Sequence, residues 1–515
     1  MASRVSFPPV FAALVGGTLI GCSTGALDMD DGEGGSADGG ALVDDEDLAR
    51  DVTVAVDLAD LGRTLPADFV GLSLEYSLVG SYLGREPAQL NPVFKRLLMN
   101  LGSGTLRIGG NSTDTSCWRT AAGDPLPAGC TIEISSNSLR IIARTMQETG
   151  WRAVLGVDLN HYSPATALDY ARDGVAVAFA GGGLYGLQFG NEPNLYPAQD
   201  RRPEDYEQPD FIAEWKAYAD AIHGNASTAA MRFLGPAVGS RSPWFELLPS
   251  FLAGTADQLG AGVALHDYPL SRCSGETRTV ADLLAPEAVE ESRARASTSA
   301  QAAAVIGAEL MIDQSGSISC GGTDGVSNRF ASALWGLDYL LTLAEAGASR
   351  VDFHSSLGSF FDPIVSSESQ LEGKWIYQTR VLPIYYAMLL ASRAGGGRLL
   401  PAEVAESSFP VAAHAVRAGD GTTLVYLINK SADGAGGAVA VTPNQKRGPA
   451  TAFALSAPDL EADADDLTLG GKRVDLDNGR IGEPESEAVP VASRAGSYLV
   501  DLPPASAVLL VIPAE

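Results

Sequence analysis

Asn191-Glu192-Pro193-Asn194 follows the apolar run Leu187-Gln188-Phe189-Gly190. A lone Asn-Glu-Pro is common by chance, and its bland alternative is a helix-capping glutamate in a loop. The strand before it favours chemistry instead. A carboxyl group partly buried at a strand end has its charged form disfavoured and its pKa raised. That suits a general acid that protonates a departing glycosidic oxygen. Other polar residues recur where apolar runs end: Glu75-Tyr76, Arg107 with Gly109-Gly110-Asn111, Asn160-His161, His266-Asp267-Tyr268, Asp313-Gln314 and His354.

Such groups converge only if their strands run in parallel toward one mouth. Strands are predicted at 69–78, 104–108, 153–158, 184–189, 231–235, 263–268, 310–314 and 351–354. Helical stretches at 92–101, 138–149, 166–179, 211–222 and 327–346 lie between them. This alternation predicts a parallel sheet, and the number of units predicts a closed (β/α)8 barrel over residues 63–395. After about Gly395 short β runs follow, at 411–417, 423–429, 437–442, 451–455 and 507–512, punctuated by Gly, Asp and Pro. They predict an antiparallel β-sandwich over 396–515, which the segment 51–62 joins as a strand from the front of the chain.

The chain has 515 residues, 35 Lys and Arg against 63 Asp and Glu, and a net charge of −28. Nucleic-acid binding needs clustered cations, so that class is excluded. An anionic ligand is repelled at long range, so any anion site must be local. Residues 1–22 read as an export signal: Arg4 precedes the short apolar run Val5 to Ile20, too short to span a bilayer as a stable helix. It ends in Leu19-Ile20-Gly21-Cys22, which resembles a bacterial lipobox, the signal whose cysteine becomes lipidated. The acidic, Gly-rich segment 23–50 reads as a disordered tether. The expected location is the cell envelope, on the outer membrane if there is one, with membrane contact only through the lipid, or else outside the cell as a secreted protein. The four remaining cysteines of an exported chain predict two disulfides. Locality pairs Cys117 with Cys130 and leaves Cys273 for Cys320. With no Cys-x-x-Cys spacing and 5 His, neither a metal site nor a cofactor is predicted.

From about Val52 to the C-terminus the chain resembles glycoside hydrolase family 79, the heparanase and β-glucuronidase family. The resemblance rests on Leu106-Arg107-Ile108-Gly109-Gly110-Asn111, Phe189-Gly190-Asn191-Glu192-Pro193-Asn194, His266-Asp267-Tyr268, and Cys320-Gly321-Gly322 through Ser327-Asn328-Arg329-Phe330-Ala331 to Trp335 and Leu337-Asp338. It implies a retaining glycosidase acting on β-linked glucuronic acid in a glycan or glucuronide. Glu192 falls at the acid/base position, and Asn191 would contact the hydroxyl beside the anomeric carbon. Glu75 and Asn111 match positions that bind sugar hydroxyls, with His266 and Tyr268 lining the mouth. Gly321, Gly322 and Tyr385 match those that hold the uronic carboxylate. Backbone amides and a phenol would supply local donors without charge. Arg107 would orient neighbouring carboxyl groups.

The chain departs from that pattern at one place. The nucleophile position is Gln314, in Ile312-Asp313-Gln314-Ser315. A retaining glycosidase needs an ionised carboxylate about 5–5.5 Å from the acid, and an amide is a poor nucleophile. Asp313 is expected to face away from the sugar, because strand neighbours alternate, unless a bulge turns it inward. Glu309 is expected to be remote. Two functions follow: a glycosidase of β-glucuronidase type with altered or impaired turnover, or a non-catalytic surface glycan-binding protein.

Overall fold

The computed structural model describes residues 50–119, 125–239 and 241–514. The expected export signal with Cys22, and the expected tether up to residue 49, lie outside the described residues. Strand β1 (Val52–Val56) belongs to the sandwich. Eight parallel strands then close a barrel: β2 (Val70–Glu75), β3 (Thr105–Gly109), β4 (Arg152–Val157), β5 (Leu184–Phe189), β6 (Phe233–Gly239), β7 (Gly262–Asp267), β8 (Leu310–Ser315) and β9 (Ala348–Ser355). They pair in chain order, and β9 returns to β2.

These strands are almost continuously buried, as a parallel sheet covered on both faces requires. Polar residues at alternate positions of β9 therefore point into the barrel at three depths. Arg350 pairs with Glu309 at 2.7 Å and Asp68 at 3.2 Å near the strand's start. Asp352 takes the Thr105 hydroxyl at 2.7 Å in the middle. His354 reaches Glu75 at the mouth. The helices obey ordinary end rules. Ser135 caps Ser136–Thr149 with its side chain, and Gly150, at φ 78°, ends it in the left-handed conformation.

Helix Phe330–Glu345 is buried along almost its whole length. Its first amide groups are taken by Leu460 and Ala462 carbonyls. Its Asp338 and Glu345 meet His414 and Lys430 of the second module. That module packs two sheets. One has the strand order Ala402–Ser407, β1, Gly437–Pro443, Ser497–Leu502, Ser493–Arg494. The other is built on Val411–Arg417, Thr423–Asn429, Ser506–Ile512 and Ala450–Ser456. All its pairings are antiparallel except that of β1 with Gly437–Pro443. Among the described residues no helix is long and apolar enough to cross a membrane.

Two differences from the sequence expectations concern the barrel. Strand β6 runs on to Gly239, with a register shift between Pro236 and Val238 that accommodates Ala237 at φ 59°. A long hairpin, Ile364–Leu371 with Lys374–Val381, follows β9. Its residues are largely exposed, so it lacks the apolar face by which strands are recognised.

Candidate active site

A hollow of about 710 Å³ opens at the C-terminal ends of the strands. Its walls include Glu75, Asn111, Glu192, His266, Tyr268 and Gln314. Arg107, wholly buried beneath it, ties these together. Its Nε donates to Gln188 Oε1 at 2.8 Å, Nη1 to Gln314 Oε1 at 2.7 Å and Ser73 Oγ at 3.2 Å, and Nη2 to Asn191 Oδ1 at 2.8 Å. A guanidinium can only donate, so these bonds orient everything they touch. The Gln314 oxygen points to Arg107, and its Nε2 donates to the Tyr268 hydroxyl at 3.1 Å. Asn191 passes its NH2 to Asn111 Oδ1 at 3.2 Å. Ser73, accepting from Arg107, donates to His354 Nδ1 at 2.9 Å, which leaves His354 Nε2–H for Glu75 Oε1 at 3.3 Å.

Glu75 ends β2 and closes the loop after β3: its oxygens accept from the Asn111 amide at 2.9 Å and the Ser112 amide at 2.7 Å, and from the Ser112 hydroxyl. Gly110, at φ 72°, is required there, because a Cβ would lie 2.3 Å from Glu75 Oε1. Burial opposes the Glu75 charge, but the bonds from His354 and Ser112 hold its pKa below the ordinary value.

Glu192 sits at φ 48° just past β5, anchored by its amide on the Ala237 carbonyl at 2.9 Å. Its Oε1 is 3.0 Å from His266 Nδ1. The expectation of a raised pKa is corrected here. Burial does push it up, but the His266 hydrogen bond and charge, with Arg107 and His354 farther off, outweigh burial and hold the carboxyl low. No carboxylate at position 314 opposes them.

Asp313 also differs from expectation. One step on β7, Leu265 to His266, spans two on β8, Ile312 to Gln314, so Asp313 is the extra residue of a β-bulge. Both Asp313 and Gln314 thereby face the barrel interior. Asp313 lies one layer below the hollow, wholly buried. Its Oδ2 accepts from Gln188 Nε2 and is 3.3 Å from Arg107 Nε, and its Oδ1 is 3.8 Å from His266 Nε2. It neutralises Arg107 without reaching a ligand. Glu309 is at the far end of β8, bound to Arg350.

The proposed carboxylate cradle is only partly assembled. Cys320, Gly321 and Gly322 occupy positive φ in succession, at 61°, 89° and 72°. Gly321 lines the hollow. The Gly322 amide is spent inside the turn, on the Ile318 carbonyl at 3.0 Å. Tyr385 is elsewhere and is a correction: it is buried in helix Pro383–Ala391, its hydroxyl donating to the Leu97 carbonyl at 2.8 Å. Among the described residues both predicted disulfides are formed, and Cys273–Cys320 stands in the wall of the hollow.

Several residues of the site were not expected. Gln188 lies inside an apolar run, and a polar residue there is itself the signal of an inward position. Asp114 takes the Asn191 amide at 3.2 Å and Arg201 at 3.0 Å; nothing in its local sequence announces this. Trp244 and Arg241 line the outer part of the hollow.

No protein-family model matches the chain. A β-glucuronidase of Neurospora crassa is 25% identical over 373 residues, which are 63% of this chain and 64% of that protein. The match thus spans just under two thirds of the relative's length. A 4-O-α-L-rhamnosyl-β-D-glucuronidase from Fusarium oxysporum 12S, solved as a Rha-GlcA complex, superposes with a TM-score of 0.72. It is 17% identical, over 89% of this chain and 99% of that one. A GH51 arabinofuranosidase from Xanthomonas axonopodis pv. citri gives 0.64 at 14% identity, over 90% and 100%. At these identities the solved structures establish the fold, a (β/α)8 barrel with a β-sandwich.

Proposed function

We propose that this chain is an exported glycoside hydrolase of the β-glucuronidase type, of family 79 descent, whose barrel mouth holds a β-linked glucuronic acid residue. The observation that carries this reading is that Glu192 and Gln314 line one saccharide-sized hollow, while Arg107 beneath it binds both Asn191 and Gln314. The relatives that act on glucuronides support it, and two disulfides support export.

In this reading Glu192 delivers the proton to the leaving oxygen, and His266 supports the carboxylate left behind. Asn191, Asn111 and Glu75 bind sugar hydroxyls, and Gly321 offers backbone polarity to the uronate. The retaining route is impaired at its covalent step, because Gln314 carries no charge and its oxygen is committed to Arg107. That commitment favours a second reading, a glycan-binding surface lipoprotein that keeps the pocket and has lost turnover. Cys22 lipidation belongs to either.

One experiment separates them. The native chain, Gln314→Glu and Glu192→Gln are incubated with an aryl β-glucuronide, and binding of glucuronic acid is measured in parallel. Native turnover that disappears in Glu192→Gln supports the hydrolase. A silent native chain, active as Gln314→Glu and binding in both forms, supports the binding protein. Silence and no binding in all three overturn both. Equal binding of glucoside and glucuronide removes the uronate preference.

A further inference from the structure

Cys117, Cys130, Asp158 and His161 each place one ligand-type atom within 4.8 Å of the others. They come from different elements. Cys117 is on the short strand Ser116–Trp118, which pairs in parallel with Ile132–Ile134 just beyond Cys130. Asp158 directly follows β4, and the His161 amide folds back on Asp158 Oδ1 at 3.2 Å. In the oxidised chain the sulfurs are bonded to each other.

The remaining distances describe a different use. Cys117 Sγ and Cys130 Sγ each lie 3.8 Å from His161 Nδ1, and Cys117 Sγ lies 3.5 Å from Asp158 Oδ2. Tetrahedral zinc, with bonds of about 2.0–2.3 Å, sets its ligand atoms about 3.3–3.8 Å apart. The ring is also held as a metal ligand is held. His161 Nε2 donates to the Ala128 carbonyl at 2.9 Å, which fixes the tautomer and turns Nδ1 inward. Nδ1 and Asp158 Oδ2 share a proton at 2.7 Å, so this pair must open by about 0.6 Å or more to admit a cation. A cavity of about 160 Å³, lined by Cys117, Asp158 and His161, adjoins the cluster and gives access.

We propose that the reduced chain binds one soft divalent cation of the zinc class through Cys117, Cys130, His161 and Asp158, at a site the disulfide closes. The step balances with a dithiol as reductant. The dithiol is oxidised to its cyclic disulfide, and the Cys117–Cys130 bond takes up two electrons and two protons. The cation then displaces those two protons and the one shared by His161 and Asp158. Ligand identity, the outer hydrogen bond and an adjoining cavity are features by which a metal site is checked; three pair distances already fit, and the sulfur–sulfur and Nδ1–Oδ2 pairs must open to fit. The inference is independent of the glucuronide reading.

The test uses cobalt(II) as a spectroscopic probe on the full chain, reduced anaerobically with a dithiol that is then removed. His161→Ala and Cys117→Ser/Cys130→Ser are carried in parallel; both retain the other cysteines, so binding to stray thiols is subtracted. One equivalent with intense sulfur-to-cobalt charge transfer is expected in the reduced chain and none in the oxidised chain. His161→Ala should weaken binding by at least about tenfold, and the double serine variant should abolish the charge-transfer band. Unchanged binding in the variants, equal binding by the oxidised chain, no binding, or loss of the folded circular dichroism on reduction would each overturn the proposal.

Discussion

Arg107 Nη1 donates to Gln314 Oε1 at 2.7 Å, and this one bond decides which end of the amide meets a ligand. The nitrogen is left on the Tyr268 side. The site is thus held in the geometry of a carboxylate without the carboxylate. A glutamate there would accept from both Arg107 and Tyr268 with no rearrangement.

Gln314→Glu is therefore expected to raise aryl β-glucuronide hydrolysis by about three orders of magnitude or more, the scale on which removing a nucleophile acts. Asp313 would then share Arg107 with the new carboxylate. Adding Asp313→Asn should raise kcat further by freeing the guanidinium for position 314. Steady-state kinetics of the single and double variants decide this. A folded Gln314→Glu variant that binds glucuronic acid and stays silent would count against the assignment of position 314.

In the Gln314→Glu background, Glu192→Gln should lower kcat about 10²–10⁴-fold for poor leaving groups, the usual contribution of a general acid. The loss should shrink as the leaving group improves. An effect independent of the leaving group would contradict proton donation by Glu192.

His266 sets the pH range of that acid. The folded Glu192 carboxyl is held low, so its ionised form is favoured and the protonated, donating form is lost as pH rises through a depressed pKa. Replacing His266 by Leu in the Gln314→Glu background removes the bond and leaves burial opposed only by the more distant Arg107 and His354. The basic limb of the kcat/KM profile should then move upward by about one pH unit. A limb that stays in place would show that another group titrates.

His414 makes a prediction about stability. It bridges Asp338 at 3.0 Å and Glu345 at 2.6 Å between helix and sandwich. Burial opposes its charge, but these carboxylates raise its pKa to about 9. The folded value exceeds the unfolded one, so the stabilisation is complete below about pH 6.5 and disappears as pH rises through about 9. Unfolding free energies from denaturant titrations of the native chain and His414→Leu should differ by about 3 kcal/mol near pH 6 and converge by about pH 10. A constant difference would mean that packing, not charge, is lost.

The Cys273–Cys320 bond holds the left-handed turn in the wall of the hollow. Its removal in Cys273→Ser/Cys320→Ser should lower stability by about 4 kcal/mol through chain entropy and weaken glucuronic acid binding about tenfold, which is about 1.4 kcal/mol. Calorimetry reads both. Unchanged affinity would remove the turn from the ligand site.

Much of the barrel was legible because polar residues interrupt otherwise apolar strands at Glu75, Arg107, His266 and His354. What escaped the sequence was fixed by distant partners. The inward turn of Asp313 depends on pairing with both β7 and β9, which no local pattern encodes. Tyr385 matched a motif position, but the packing of its helix points the phenol at Leu97. The low pKa of Glu192 follows from a histidine 74 residues later.

Strand β1 has a last implication. It fills the gap between Ala402–Ser407 and Gly437–Pro443, so both its edges wait for polypeptide made near the end of synthesis. An emerging chain carries that unmated segment throughout, and the seam it closes is the slow, long-range kind. Losing either β1 or Gly437–Pro443 would open the same sheet, so one strand from before the barrel and its partners from after it act as a single mechanical clasp.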